Sequence, residues 1–154
     1  MTLTLRPAKR EELPAIVAML ASDQLGSIRE QLSDPPPRIY YDAFDEMARD
    51  PNNLLLVAEQ DGEIVGTLQL TFIRGVSRKG ARRAQIEGVR VAGSHRGRGL
   101  GREIVLHAIG LARANGCSMV QLTADKKRKD AHRFYESLGF VASHEGMKLM
   151  LDPS

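Results

Sequence analysis

The order of apolar patterns along the 154 residues predicts an α/β (α+β) fold. It is a central mixed, mostly antiparallel sheet of six to seven strands, flanked by about four helices. Three observations lead there. Two strand-like runs, NLLLVAEQ (53–60) and EIVGTLQLTFI (63–73), are joined by Asp61-Gly62, a hairpin turn signal. A third run, AQIEGVRVAG (84–93), follows them and completes a meander. The helical pattern of residues 102–116 then separates that strand from CSMVQLTA (117–124), and a helical crossover of this kind returns a strand parallel to its predecessor. Meander and crossover together place helices on both faces of the sheet. No repeat or low-complexity linker divides the chain, so residues 1–154 are expected to form a single domain.

Each element has its own local reason. LTLR (3–6) alternates and reads as a strand. Leu13, Ile16, Val17 and Leu20 fall at i, i+3, i+4 and i+7, one stripe of a helix, with Pro14 tolerated near the first turn. Basic residues before LPAIVAMLA imitate a secretory leader. Glu11 and Glu12 interrupt them, so the run reads as an amphipathic helix and the protein as cytoplasmic. SDPPPR (33–38) is a loop between helices, and Tyr40, Ala43, Phe44 and Met47 give a second helical stripe. RGVSRKGARR (74–83) is a basic loop. Gly88, inside the third run, marks a bulge or a close backbone approach. The helix of 102–116 stops at Asn115-Gly116. DKKRKD (125–130) is a charged loop, and AHRFYESLGF (131–140) is a short helix closed by Gly139. VASHEGMKLML (141–151) fits two short strands around His144-Glu145-Gly146.

Composition excludes several classes of protein. With 42% hydrophobic and 27% charged residues, the chain resembles an ordinary soluble domain. The single Cys117 excludes a disulfide scaffold and a cysteine-based zinc site, and no histidine spacing suggests a metal. The longest uncharged stretch, Ala114 to Ala124, is too short to span a bilayer. The net charge of +3 hides a strong asymmetry. Residues 1–73 carry six basic and twelve acidic groups, whereas residues 74–102 carry nine basic groups against Glu87 alone. Such a segment suggests a site for an anion.

The chemistry concentrates where strand, glycine-rich turn and helix meet, at Arg96-Gly97-Arg98-Gly99-Leu100-Gly101. Three glycines in five positions let the backbone approach a ligand and aim successive N–H groups at it. The following helix N-terminus favours phosphate, and Arg96, Arg98 and Arg102 add positive charge. A Walker A loop would need Gly-Lys-Ser/Thr, but Gly101 is followed by Arg102-Glu103. A dinucleotide fingerprint starting at Gly97 would need a third glycine where Arg102 stands.

In these residues the chain resembles the GNAT N-acetyltransferase superfamily, whose pattern Gln/Arg-x-x-Gly-x-Gly/Ala is met at every defined position by Arg96 to Gly101. GVRV before the loop is similar to the family's fourth strand, and Phe134-Tyr135-Glu136 with Leu138-Gly139-Phe140 to its helix after the fifth. The resemblance implies a GNAT-like domain that transfers an acetyl group from acetyl-CoA to a primary amine. It implies that the fourth and fifth strands splay near Glu87-Gly88, with pantetheine in the gap beside the backbone of Val89, Arg90 and Val91. The pyrophosphate would lie on the N–H groups of Arg96, Gly97, Arg98, Gly99, Leu100 and Gly101, with Arg102 at the helix start. The Val89 N–H would face the developing oxyanion, Tyr135 would be the general acid and Glu87 the general base, tuned by burial. One departure from the family is Arg128, which stands where many members have an asparagine that helps hold the cofactor.

The secondary candidates are His132, Arg133, His144, Glu145 and the run Lys126 to Lys129, the last near the 3′-phosphate of CoA; His95 reads as a loop surface residue, His107 as structural and Cys117 as a small core residue. The acidic N-terminal half (Asp23, Glu30, Asp34, Asp42, Asp45 and Glu46) would suit a cationic acceptor, whether small molecule or peptide. A homodimer is a family expectation. Two other readings compete: an acyl-CoA-binding sensor without turnover, and a nucleic-acid module using residues 74–102. The second is disfavoured because that stretch has no aromatic stacking platform. Neither nucleic acid nor membrane is expected as a partner.

Overall fold

The two central runs pair as the hairpin signal predicts. In the computed structural model, which describes residues 2–152, β2 (Asn53–Gln60) and β3 (Glu63–Arg74) turn at Asp61 and Gly62, with φ of 53° and 78°. Two successive positive φ angles are what a tight hairpin of this hand requires, and Asp and Gly tolerate them best. β1 (Thr4–Pro7) lies antiparallel to β2, and β4 (Arg82–Val91) antiparallel to β3. The crossover helix α5 (Leu100–Ala114) leads to β5 (Met119–Leu122), which runs parallel to β4. The strand order is therefore β1-β2-β3-β4-β5, a mixed, mostly antiparallel sheet.

Alternation along the strands decides what covers each face. Val57 on β2 packs with Leu13, Ile16 and Met19 of α1 (Leu13–Leu20), and Tyr41 and Phe44 of α3 (Arg38–Ala48) close over the same cluster. Val57 opposes Thr67 on β3. The next residue, Gly66, faces the other way, where the Ile104 side chain of α5 fills the space a Cβ would take. α5 buries Leu100, Ile104, Val105, Ala108 and Ala112 on that side. Burying Thr67 is made tolerable by its hydroxyl, which donates to the Leu56 carbonyl at 2.8 Å.

The element count differs from the expectation. Among the described residues there are five strands and six α-helices, besides two 3-10 turns, not six to seven strands and about four helices. One extra helix is α2 (Gln24–Arg29), capped by Asp23, whose carboxylate accepts from the Gly26 N–H at 2.5 Å. The other is a single turn, α4 (Ser77–Gly80), inside the predicted basic loop, where Arg78, Lys79 and Gly80 all have positive φ. The strands expected in 141–151 are not formed. A lone hairpin is marginal, and Val141 is the segment's only β-branched residue.

The chain divides into two compact units, one ending at Leu122 and one beginning at Thr123. The second contains α6 (Lys129–Ser137), which starts two residues earlier than predicted. There the Tyr135 ring meets Phe134 and Phe140 edge-on, with centroids 5.0 and 5.7 Å apart, and Gly139 ends the helix at a φ of 97°.

Candidate functional site

The site starts where β4 and β5 stop pairing. Their register runs from Arg83 opposite Met119 to Ile86 opposite Leu122 and goes no further, although β4 continues to Val91. Two features turn the strand away at that point. Gly88 takes a φ of 63°, and the β3–β4 register shifts between Thr67 and Gln69. Glu87 through Val91 thus present an edge to which no strand among the described residues is paired. The Val89 carbonyl accepts from Arg90 Nη1 at 2.9 Å, and that of Val91 from Arg96 Nε at 3.4 Å.

The strand runs through a single 3-10 turn, Gly93–His95, into the glycine loop. Gly97 and Gly99 have φ of 80° and 74°, and a Cβ built on either meets nothing within 4 Å. Leu100 is buried and anchors the start of α5, for which Gly99 is the N-cap. The first helical N–H with a backbone partner is that of Glu103, which donates to the Gly99 carbonyl at 3.3 Å. Among the described residues, the N–H groups of Arg96 to Arg102 donate to no protein acceptor. Open space, outward N–H groups and a helix N-terminus together fit a phosphate group.

The arginines divide into two sets. Arg90 and Arg96 turn back onto the α1–α2 turn, with Arg90 Nε 3.4 Å from Asp23 Oδ2 and Arg96 Nη2 donating to Ser22 Oγ at 2.9 Å. Arg98 and Arg102 are exposed and make no ion pair among the described residues. Ser22 was not singled out from sequence, and Asp23 was read only as part of the acidic acceptor wall, because the arginines they meet lie far along the chain.

Glu87 is the first residue beyond the last β4–β5 rung. It is exposed, so the burial expected of a tuned base is missing. Its Oε1 instead accepts from Gln85 Nε2 at 3.1 Å. Gln85 Oε1 accepts from Gln121 Nε2 at 2.8 Å, and Gln121 Oε1 from Arg83 Nη1 at 3.1 Å. Sequence reasoning passed over these partners, although the spacing Arg83-x-Gln85-x-Glu87 does put three polar side chains on one strand face. Tyr135, half-buried in its aromatic cluster, belongs to the second unit. In that unit Lys127, Arg128, Lys129 and Arg133 line an open hollow of about 540 Å³.

The remaining candidates have local partners. His95 Nε2 lies 3.4 Å from a Glu63 carboxylate oxygen, and His107 Nδ1 lies 2.8 Å from the Glu103 carbonyl. His132 Nε2 lies 3.3 Å from the Asp125 carbonyl, and His144 Nδ1 2.7 Å from the Ser143 hydroxyl. Among the described residues no cluster of His, Cys, Asp and Glu could hold a metal ion, and no helix is long and apolar enough to cross a membrane.

Comparison with known proteins identifies the family. The model of the acetyltransferase (GNAT) family matches residues 18–140. A glucosamine 6-phosphate N-acetyltransferase of Trypanosoma brucei brucei is 37% identical over 90 residues, which are 58% of this chain and 59% of that enzyme. An aminoalkylphosphonate N-acetyltransferase of Salmonella typhimurium is 31% identical over 108 residues, 68% of each chain. The crystal structure of a transcriptional regulator from Bacillus halodurans superposes with a TM-score of 0.93, at 48% identity, covering 97% of this chain and 100% of the other.

Proposed function

The chain belongs to the GNAT acetyltransferase family, and from that membership we propose that it transfers an acetyl group from acetyl-CoA to a primary amine. The observation that carries this reading is the unpaired edge of β4, running directly into a glycine loop with outward N–H groups at a helix N-terminus. The backbone of Val89, Arg90 and Val91 would bind the pantetheine arm. The loop from Arg96 to Gly101 would take the pyrophosphate, with Arg98 and Arg102 supplying the charge still unspent. Bound acetyl-CoA supplies the thioester, whose carbonyl carbon takes the lone pair of the amine and whose C–S bond then breaks. The Val89 N–H donates to the oxygen that gains charge. Glu87 removes the proton from the attacking nitrogen, directly or through water, and the Tyr135 hydroxyl protonates the departing thiolate.

The acidic helices give less support to a cationic acceptor than their composition suggested. Asp23 pairs with Arg90, Asp45 with Arg10 at 3.0 Å and Asp42 with Arg38 at 3.5 Å, while Glu30 accepts from the Tyr40 hydroxyl at 2.9 Å. The relatives named for glucosamine 6-phosphate and aminoalkylphosphonates make amines bearing a phosphorus anion the first acceptors to try. The reading takes the protein as a cytoplasmic enzyme of one domain, working alone or as a homodimer.

The test is thiol release from acetyl-CoA across glucosamine 6-phosphate, aminoalkylphosphonates, polyamines and peptide amines. Tyr135→Phe keeps the aromatic packing and is expected to lower kcat by about 10²- to 10⁴-fold. If acetyl-CoA does not bind in calorimetry, the proposal fails. A second reading, an acyl-CoA sensor without turnover, gains from the similarity to a protein described as a transcriptional regulator. CoA affinity with no product from any acceptor would favour it. The nucleic-acid reading loses ground because much of the basic stretch is engaged inside the chain. Arg74 donates to Gly80, and Arg82 to Asn115 and Asn52 while covering the Phe72 ring. Arg83, Arg90 and Arg96 are engaged as described.

A further inference from the structure

Four polar side chains cross from β4 to β5 and back: Arg83, Gln121, Gln85 and Glu87, linked at 3.1, 2.8 and 3.1 Å. The ends of this ladder differ in a way that sets its direction. A guanidinium can only donate and a carboxylate can only accept. With Arg83 at one end, Gln121 must turn its oxygen to the arginine and its NH₂ to Gln85. Gln85 must then turn its oxygen to Gln121 and its NH₂ to Glu87. Neither amide has a free choice of flip, so a donor is always delivered to Glu87 Oε1. Oε2 is the oxygen that no described residue engages.

We propose that Gln85, oriented by Gln121 and Arg83, is a positioning residue that fixes the Glu87 carboxylate at the mouth of the β4–β5 gap and leaves Oε2 to take the proton of the acceptor amine. The proposal rests on the reading of Glu87 as the base. An exposed carboxylate on a strand would otherwise sample several rotamers, and one anchored oxygen removes most of that freedom. Few other charges compete. Arg83 and Arg90 are the charged neighbours along β4, and Gln69 is the partner opposite Glu87 on β3. β5 pairing ends before Glu87, and Asp23 of the α1–α2 turn is paired with Arg90.

The experiment compares Gln85→Leu, Arg83→Met, Arg83→Lys and Glu87→Gln with the unmodified protein. Acetyl transfer to glucosamine 6-phosphate is followed kinetically, and the side-chain amides of Gln85 and Gln121 by ¹⁵N–¹H NMR. In Gln85→Leu and Arg83→Met one carboxylate oxygen loses the donor that holds it in place. Acceptor kcat/KM is expected to fall by about 10- to 100-fold, the loss typical of misplacement, with KM for acetyl-CoA unchanged. Arg83→Lys, which keeps a donor-only group, restores acceptor kcat/KM, and Arg83→Met displaces the Gln85 amide resonances although it does not touch that residue. If Arg83→Met leaves the Gln85 amide where it was, the ladder carries no orientation and the proposal falls, whatever the kinetics. If Glu87→Gln loses activity while Gln85→Leu keeps the parent acceptor kcat/KM, the base reading stands and the positioning role is overturned. If Glu87→Gln keeps the parent rate, the base reading itself is wrong.

Discussion

Replacing glycine by alanine should have opposite effects at two places about 16 Å of helix apart along α5, and the sign separates the loop's geometry from the helix's stability. Gly110 lies inside α5, and a Cβ there meets nothing within 4 Å. Gly99 is the N-cap of the same helix, and its Cβ would likewise meet nothing within 4 Å, but its φ is 74°. With contacts absent in both cases, only the backbone differs. An alanine at an interior helix position gains about 1 kcal/mol over glycine. An alanine forced into the left-handed region loses about 1–2 kcal/mol. For a chain of this size each kcal/mol moves the melting temperature by about 2–4 °C. Gly110→Ala should therefore melt about 2–4 °C higher, and Gly99→Ala about 2–8 °C lower. Calorimetric titration with CoA should then show weaker binding for Gly99→Ala and normal binding for Gly110→Ala, because only the first adds a methyl group beside the proposed pyrophosphate. A Gly99→Ala protein that melts at or above the parent temperature would refute the left-handed cap. Normal CoA affinity in that variant would refute the placement of the pyrophosphate.

Two further outcomes follow from the packing and the charges. Gly66→Ala would drive a methyl group into the Ile104 side chain and to 2.9 Å from the Arg90 carbonyl. It should cost about 1–3 kcal/mol in denaturant unfolding, relieved only in part by Ile104→Val because the Arg90 carbonyl stays in place; a neutral result would mean that α5 does not lie against β3 as described. The Glu12 carboxyl is held below its usual range, first by the hydrogen bonds from Arg6 at 2.9 and 2.7 Å and then by the Lys9 N–H. A carboxyl depressed in the folded state adds stability above its unfolded value, and this is lost as pH falls through the folded value. The gap in melting temperature between the parent protein and Glu12→Gln should be full at pH 7 and shrink below about pH 4.5, the ordinary glutamate range; a gap independent of pH would exclude the pairing with Arg6.

Much of the candidate site was readable because its determinants are neighbours in the chain. Gly97 and Gly99 in Arg96-Gly97-Arg98-Gly99-Leu100-Gly101 signal positive φ by having no side chain, and both adopt it. The stripe Leu13, Ile16 and Val17 is buried as its spacing requires, with Met19 joining it. Gly88 interrupts β4 where the bulge falls. The errors came from terms that sequence spacing does not contain. VASHEGMKLML alternates enough to suggest strands, but a strand also needs an edge to bond to, and that is not encoded in its own residues. Glu87 was expected to be buried only in the role of base that the resemblance implies, and the folded chain leaves it exposed just beyond the last β4–β5 rung, a matter of tertiary packing that its own neighbours in sequence do not encode.

The sequence alone determined the unit of strand, glycine turn and helix, the parallel return of β5, and the family they resemble. Each of these depends on dihedral preference or apolar period over a few adjacent residues. Only the tertiary structure decided what the charges do. Composition put nine basic groups in residues 74–102 and offered no way to rank them. Folding brought Arg82 to Asn52, 30 residues away, Arg83 to Gln121, 38 away, and Arg96 to Ser22, 74 away. A charge becomes structural or available according to what lies within about 3 Å of it, and at that range distance along the chain carries no information.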